Sequence, residues 1–205
     1  MQGYIIDVKN VRDDDLIVTI LSADNLYTTY RFYGARHSII NIGYKIDFEL
    51  ENNFKTTIPR LKEVIQLGFN WILEREKLYC WQRYIKLFYP HLKEVESIDD
   101  FYFQLLDETV HKMIKQNPKR AIIESYIKLL DYEGRLHKEY ECLLCEQKIE
   151  HEISLVRSFL PTHPSCSYSK KFKMTQIEEL FGEYSLLNFE DDEVEYIWNI
   201  LLQGL

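Results

Sequence analysis

The sequence predicts an α+β protein, with a small closed β-barrel first and an α-helical domain carrying an inserted Cys/His segment after it. Three observations predict this order. The first sixty positions hold short apolar and β-branched runs broken by turn signals, with clean alternation over 45–50, and apolar residues then recur every three or four residues. Proline and glycine punctuate the second region into helix-sized pieces. Cys142-Leu-Leu-Cys145 and His163-Pro-Ser-Cys166 then stand as two donor pairs with 17 residues between them.

Gly3-Tyr-Ile-Ile-Asp-Val8 reads as the first strand, followed by a charged bend over 9–15. Leu16-Ile-Val-Thr-Ile-Leu21 is rich in β-branched residues and reads as the second. Ser22-Ala-Asp-Asn25 is a turn signal, and an extended pattern resumes over 26–33 until Gly34. In Lys45-Ile-Asp-Phe-Glu-Leu50 the apolar residues face one side and the charged ones the other. Asn52-Asn53 is the expected hairpin tip before a short strand over 54–58. Five short strands in sixty residues suit an OB-fold-like β-barrel over 1–60, among other closed barrels. After Pro59 the spacing predicts helix over 62–89, carried by Val64, Leu67, Trp71, Leu78, Trp81, Ile85 and Phe88 and stopped by Pro90. Ser97-Ile-Asp-Asp100 predicts the entry to a second helix running to about 115, and Asn117-Pro118 separates it from a third over 120–130. Thr175-Gln-Ile-Glu178 predicts a capped helix start, and an acidic run over 190–193 precedes a terminal apolar helix over 194–202. The expected division is barrel 1–60, helical domain 61–141, Cys/His segment 142–168, and C-terminal helices over 169–205 packing on the helical domain.

A tetrahedral zinc ion needs four donors at one point, and two-residue spacers let both members of a pair reach the same metal. Cys142, Cys145, His163 and Cys166 fit that template, with His151 a competitor for the third position. The competing reading makes Cys142 and Cys145 core thiols on one helical turn. Ile149, Ile153, Val156 and Leu160 predict a helix between the pairs, where a zinc ribbon would place a β-hairpin.

Composition narrows the class. A 46% hydrophobic content supports real cores, while seven glycines and five prolines argue against disorder or repeats. Four cysteines with Cys80 isolated form no disulfide framework, which predicts a reducing cytoplasm. Neither a signal peptide nor a membrane-spanning run is visible. Net charge is −8, yet residues 1–62 carry eight basic and eight acidic side chains, so the N-terminal part is the more permissive surface for a polyanion. No phosphate loop, nucleophile elbow or His-Glu-x-x-His is present, and the acids Asp13–Asp15 sit in a bend without a partner histidine. A non-enzymatic protein is expected.

Gly3-Tyr-Ile-Ile-Asp-Val8, Arg12-Asp-Asp-Asp-Leu-Ile-Val-Thr-Ile-Leu21 and Tyr33-Gly-Ala-Arg36 together resemble the opening of the bacterial DNA-repair protein RecO. Leu129-Leu-Asp-Tyr-Glu-Gly-Arg-Leu-His137, leading to Cys142-Leu-Leu-Cys145, resembles that family's helix before its cysteine motif. The resemblance implies an OB-fold domain, a helical domain and a zinc-binding segment in a cytoplasmic, nucleoid-associated recombination mediator. It further implies binding and annealing of single- and double-stranded DNA, partnership with RecR and with the C-terminal tail of single-strand-binding protein, and, through them, loading of RecA. Many members of the family carry four cysteines in the metal motif; this chain has His163 at the third position.

On the third strand, alternation places Tyr27, Thr29, Arg31 and Tyr33 on one face and Thr28, Tyr30 and Phe32 on the other. If the Tyr30/Phe32 face fills the barrel, Tyr27 and Tyr33 offer rings on which bases stack, and Arg31 meets phosphate. The alternative packs these tyrosines under other parts of the protein. Arg36 is expected on the loop after Gly34; Lys9 and Arg12 flank the acidic bend, and Lys55 and Arg60 are placed at the barrel mouth. Lys170, Lys171 and Lys173, with Phe172 between them, form the densest cationic run, either a second DNA contact or a solvated face. The aromatic helices between Trp71 and Phe103 read mainly as core, with Arg75, Arg83 and Lys86 able to receive an acidic tail. A second class of function is a metal-stabilised protein-interaction scaffold that touches no nucleic acid, for which the −8 charge speaks.

Overall fold

Short strands closed around one apolar core organise the N-terminal part of the protein. The structure is a computed structural model that describes residues 1–36, 39–52 and 57–205, in two units, Met1–Ile114 and Lys115–Leu205. Five strands of the first unit, β1 (Gln2–Arg12), β2 (Asp15–Ser22), β3 (Leu26–Arg31), β4 (Lys45–Glu51) and β5 (Arg60–Leu67), close a barrel in the order β1-β2-β3-β5-β4. Neighbours are antiparallel except at the β3–β5 seam, where Tyr30 stands opposite Arg60. This is an OB-fold barrel. Ile5, Leu16, Val18, Ile20, Ile46, Phe48 and Leu61 fill it. A one-residue slip of any strand would turn its share of that core outward, which pins the register. At Gly3 any Cβ would overlap the Ile20 side chain and stand 2.9 Å from the Leu21 carbonyl oxygen, so only glycine admits this approach of β1 to β2.

Two bulges lengthen β1 relative to β2, between Ile5 and Asp7 and between Asn10 and Arg12, which carries the strand through much of the expected bend. Tyr4, Ile5 and Ile6 are consequently all buried. Ile5 enters the barrel, while the Tyr4 ring packs against Phe69, Trp81 and Phe103.

The fifth strand is where the structure departs most from the sequence expectation. The expected tip at Asn52-Asn53 and strand over 54–58 fall partly on residues 53–56, outside the described residues, as does Lys55; Thr57 and Ile58 form a bend. The strand that closes the barrel is β5, inside the stretch expected to be helical from 62. A bulge explains the misleading period. Between the pairs Asp47–Ile65 and Glu49–Lys62 the register shifts by one residue, and Glu63 takes a left-handed φ of 44°. The shift puts Leu61, Val64 and Leu67 three apart, which imitates a helix.

Helix α1 (Arg75–Leu92) therefore begins later than expected and continues through Pro90 into its last turn. Helix α2 (Asp100–Lys112) is capped by Asp99, whose carboxylate accepts the Phe101 N–H at 2.9 Å. Trp71, Trp81, Phe88 and Phe103 are buried, as expected of core aromatics. The two indoles also find acceptors: Trp81 Nε1 donates to the Gly43 carbonyl at 2.7 Å and Trp71 Nε1 to the Val110 carbonyl at 3.0 Å.

In the second unit, α3 (Pro118–Tyr132) starts with Asn117 as N-cap and Pro118 in the first turn. A three-stranded sheet follows in the order β7 (Pro161–Thr162), β6 (Glu152–Leu155), β8 (Phe172–Lys173), with a one-turn helix α4 (Pro164–Ser167) between β7 and β8. The helix expected over 149–160 is instead β6, a short 3-10 turn at Arg157–Phe159 and the approach to β7. Its apolar residues bury Ile149, Ile153, Leu155 and Phe159 by turning the chain back on itself rather than by winding it. Helix α5 (Met174–Glu183) starts one residue before Thr175; the Gln176 side chain accepts the Lys173 N–H at 3.0 Å, which replaces the expected cap. The acidic run forms the first turn of α6 (Asp191–Leu201), where carboxylates meet the positive end of the helix dipole. Among the described residues no helix is long and apolar enough to cross a membrane.

Candidate functional site

Strand β3 decides which side chains the barrel shows to solvent. Thr29 is fully buried, and its hydroxyl donates to the Val18 carbonyl at 2.9 Å. Tyr27 lies on the same inner face, packed on the barrel core with its ring 6.2 Å from that of Phe48 and its hydroxyl on Asp24 at 2.9 Å. Arg31 follows in phase: Nη1 donates to the Leu61 carbonyl at 2.8 Å, and its buried Nε has no hydrogen-bond partner. The expected orientation is thus reversed. Tyr27 and Arg31 point inward, and the face carrying Thr28, Tyr30 and Phe32 is the outer wall. The reason is steric, because a small barrel accommodates Thr29 in its interior but not the Tyr30 and Phe32 pair.

On that wall the Tyr30 and Phe32 rings meet edge to face at 4.9 Å, and the Arg60 guanidinium lies 4.9 Å over the Phe32 ring. Together with Thr57 and Ile58 they line a largely apolar hollow of about 410 Å³. Asp15 anchors it from beneath, accepting the Tyr30 hydroxyl at 2.7 Å and the Tyr33 N–H at 2.7 Å. The Tyr30 bond, then the Tyr33 bond, holds the Asp15 carboxyl below the usual carboxylate range. Tyr33 takes a φ of 50°, so the turn into Gly34–Arg36 is made by Tyr33. Gly34 serves a different end: a Cβ there would stand 2.8 Å from the Leu16 side chain. Beyond the turn, the exposed Arg36 stacks over the Tyr33 ring at 5.1 Å and pairs with Asp14.

Several of the other expected cations, Lys9, Arg60, Lys170 and Lys171, are also paired. Lys9 donates to the Tyr89 hydroxyl at 2.9 Å and lies 3.4 Å from Asp7; the Tyr89 bond is the main cause of its raised pKa. Arg12 is exposed opposite Asp15 in the strand register. Arg60 lies 3.8 Å from Glu51, which holds Lys62 at 2.6 Å. In the second unit Lys170 pairs with Asp192, Lys171 with Glu152 at 2.8 Å, and Lys173 is exposed at the N-cap of α5. Sequence reasoning missed Tyr30 and Phe32; the alternation pointed to them, but its phase did not.

The metal-type residues converge as the spacing suggests. The first pair sits on a tight turn in which Cys142 receives the Glu146 N–H on its carbonyl at 2.8 Å and donates its own N–H to Gln147 at 2.9 Å, with Glu146 at a φ of 58°. The second pair spans the entry to α4, where Pro164 starts the single turn that brings Cys166 round to His163. One ligand atom from each of Cys142, Cys145, His163 and Cys166 falls in a group whose members all lie within 4.8 Å of one another. Cys145 Sγ is 3.3 Å and Cys166 Sγ 4.0 Å from His163 Nδ1. Metal–sulfur bonds of about 2.3 Å give tetrahedral edges of about 3.8 Å, so the four donors can hold a metal ion with small shifts. Burial opposes ionisation of Cys142, but N–H groups of His163, Leu144 and Cys145 outweigh it and bring the thiol well below its ordinary value. Burial and the neighbouring Cys145 and Cys142 push Cys166 up. His151, the competing third ligand, is not in the group; its carbonyl instead accepts the Met174 N–H at 3.1 Å.

Residues 1–72 match the family model described as RecO N terminal. A comparison with curated proteins gives no match. The match covers β1 to β5 and thereby bears out the RecO resemblance where the barrel stands.

Proposed function

We propose, for a chain whose residues 1–72 match the RecO N-terminal family model, a recombination mediator that binds DNA and protein partners and catalyses no reaction of its own. The observation that carries this reading is the match itself, on a five-stranded barrel whose outer wall presents cations and rings. The barrel holds single- and double-stranded DNA. Arg36, Arg12, Arg60 and Lys9 are its phosphate contacts, and Tyr33 lies beside them. Tyr27 and Arg31 support the barrel from within. Lys170, Lys171 and Lys173 form a second contact on the C-terminal unit. Annealing follows when two strands are held close with part of their charge neutralised. RecR and the tail of single-strand-binding protein are the protein partners, RecA is reached through them, and the setting is the cytoplasm. With the barrel extended through Leu67 by β5, the division drawn from the sequence becomes the proposed allocation of roles: barrel for DNA, the helices that follow it for partners, 142–168 as clasp and 169–205 as support.

Zinc is the metal proposed for Cys142, Cys145, His163 and Cys166, where it would tie the turn after α3 to α4 as a structural clasp.

Each exposed cation with a carboxylate neighbour must exchange that partner for phosphate. Such surface pairs are worth about 0–1 kcal/mol, so phosphate can displace them, with moderate affinity and steep salt dependence. Anisotropy titration of labelled oligo-dT in low salt tests the reading. Arg36→Glu combined with Arg60→Glu should weaken binding at least tenfold with unchanged thermal unfolding. Absence of binding by the wild-type protein would sink the proposal and favour the protein-interaction scaffold.

A further inference from the structure

The wall of the barrel is built unevenly for a polyanion. A surface that held only phosphates would be lined by several cations or N–H donors, yet the hollow between β3 and β5 is lined by Tyr30, Phe32, Thr57, Ile58 and Arg60. Phe32 leaves 46% of its surface in solvent although it is wholly apolar. Its ring meets that of Tyr30 in a T-shaped contact at 4.9 Å, and Tyr30 is in turn fixed by its 2.7 Å bond to Asp15. Arg60, the one cation in the described lining, lies over the Phe32 ring at 4.9 Å and 3.8 Å from Glu51. A ring beside one guanidinium in an apolar hollow gives a bare phosphodiester chain a single cation and nothing more. It is well made for a flat, uncharged, aromatic ligand whose own chain carries negative charge.

We infer that this hollow is a stacking subsite for one unpaired nucleobase, with Phe32 as the platform, Tyr30 as its brace and Arg60 between the base and the adjoining phosphate. The inference rests on the DNA-binding reading above and deepens it. A base within a duplex has both faces covered by its neighbours, so the subsite selects single strands over duplexes. A base-free phosphodiester chain gains nothing from it. An apolar side chain of a protein partner is the alternative occupant that the test separates.

The test compares labelled oligo-dT with an abasic oligomer of equal length, in one low-salt buffer, on the full chain. Wild type should bind oligo-dT about fivefold or more tighter than the abasic strand, the lower end of a single stacking contact. Phe32→Leu keeps an apolar side chain and should bring oligo-dT to the abasic level while leaving abasic binding unchanged; Phe32→Trp should restore the preference. Equal wild-type binding of the two oligomers would overturn the subsite, as would a preference that survives Phe32→Leu or a loss common to both strands. In those cases strand binding by the barrel still stands. Failure of wild type to bind either oligomer overturns the DNA reading and the subsite together.

Discussion

At the scale of single residues, Asp15 is the most connected group on the outer wall. Its two oxygens hold the Tyr30 hydroxyl and the Tyr33 backbone, so one carboxylate sets both the ring brace and the turn that presents Arg36. Its folded pKa is depressed below the unfolded value of about 3.9. A depressed carboxylate contributes stability that is present above the unfolded pKa and lost as pH falls through the folded one. The stability gap between wild type and Asp15→Asn should therefore be widest near neutral pH and close below about pH 4, as followed by urea unfolding over a pH series. A constant gap across that range would mean that the charge of Asp15 is not what holds the wall. Arg31 illustrates the opposite lesson. Strand alternation marked it as a phosphate contact, but a guanidinium on an inward strand position is spent on the Leu61 carbonyl.

At the scale of elements, β1 is buried on two sides and thereby couples the barrel to the first two helices within the N-terminal unit. The Tyr4 ring touches Phe69, Trp81 and Phe103, its hydroxyl donates to Asp107, and Lys45 reaches the same carboxylate at 2.7 Å. Burial, then the Asp107 contact, raises the Tyr4 pKa far out of its ordinary range and keeps the phenol neutral. Trp81 is the centre of that cluster, wholly buried and bonded to Gly43. Trp81→Ala should cost about 3–5 kcal/mol in chemical denaturation, cavity and lost hydrogen bond included. A loss under about 1 kcal/mol would mean that the cluster collapses freely around the gap. The two regions where periodicity misled, 62–67 and 149–160, share one cause. Bulges and tight turns shift the phase of an extended chain, and apolar residues then fall three or four apart without a helix.

At the scale of the whole molecule, charge and chemistry are divided along the sequence. The stretch 1–62 is neutral, and the rest of the chain carries the −8. The acidic residues of the C-terminal unit have local duties: Asp191 and Asp192 open α6 and hold Arg120 and Lys170, and Glu195 holds Lys119. The metal-type donors lie wholly in that unit, so a bound metal should stabilise it and leave the barrel indifferent. Hydrogen exchange after treatment with a zinc chelator should show lost protection at Cys142, Ile149 and β6, with β1 and β2 unchanged. Cys166→Ser should reproduce that pattern and lower the zinc content of purified protein. Unaltered exchange with full chelation would retire the clasp.

Sequence alone determined the barrel-then-helix order, the apolar phase of β4, and the four donors, because each is written in local spacing: two-residue alternation, helix caps, and a two-residue reach between ligands. Tertiary structure alone decided that β5 closes the barrel, that a hairpin-like return joins the donor pairs, and that Phe32 rather than Tyr27 faces water. Those outcomes depend on which neighbours compete for the same interior. A strand with rings on both faces carries no local mark of which face the small barrel can enclose.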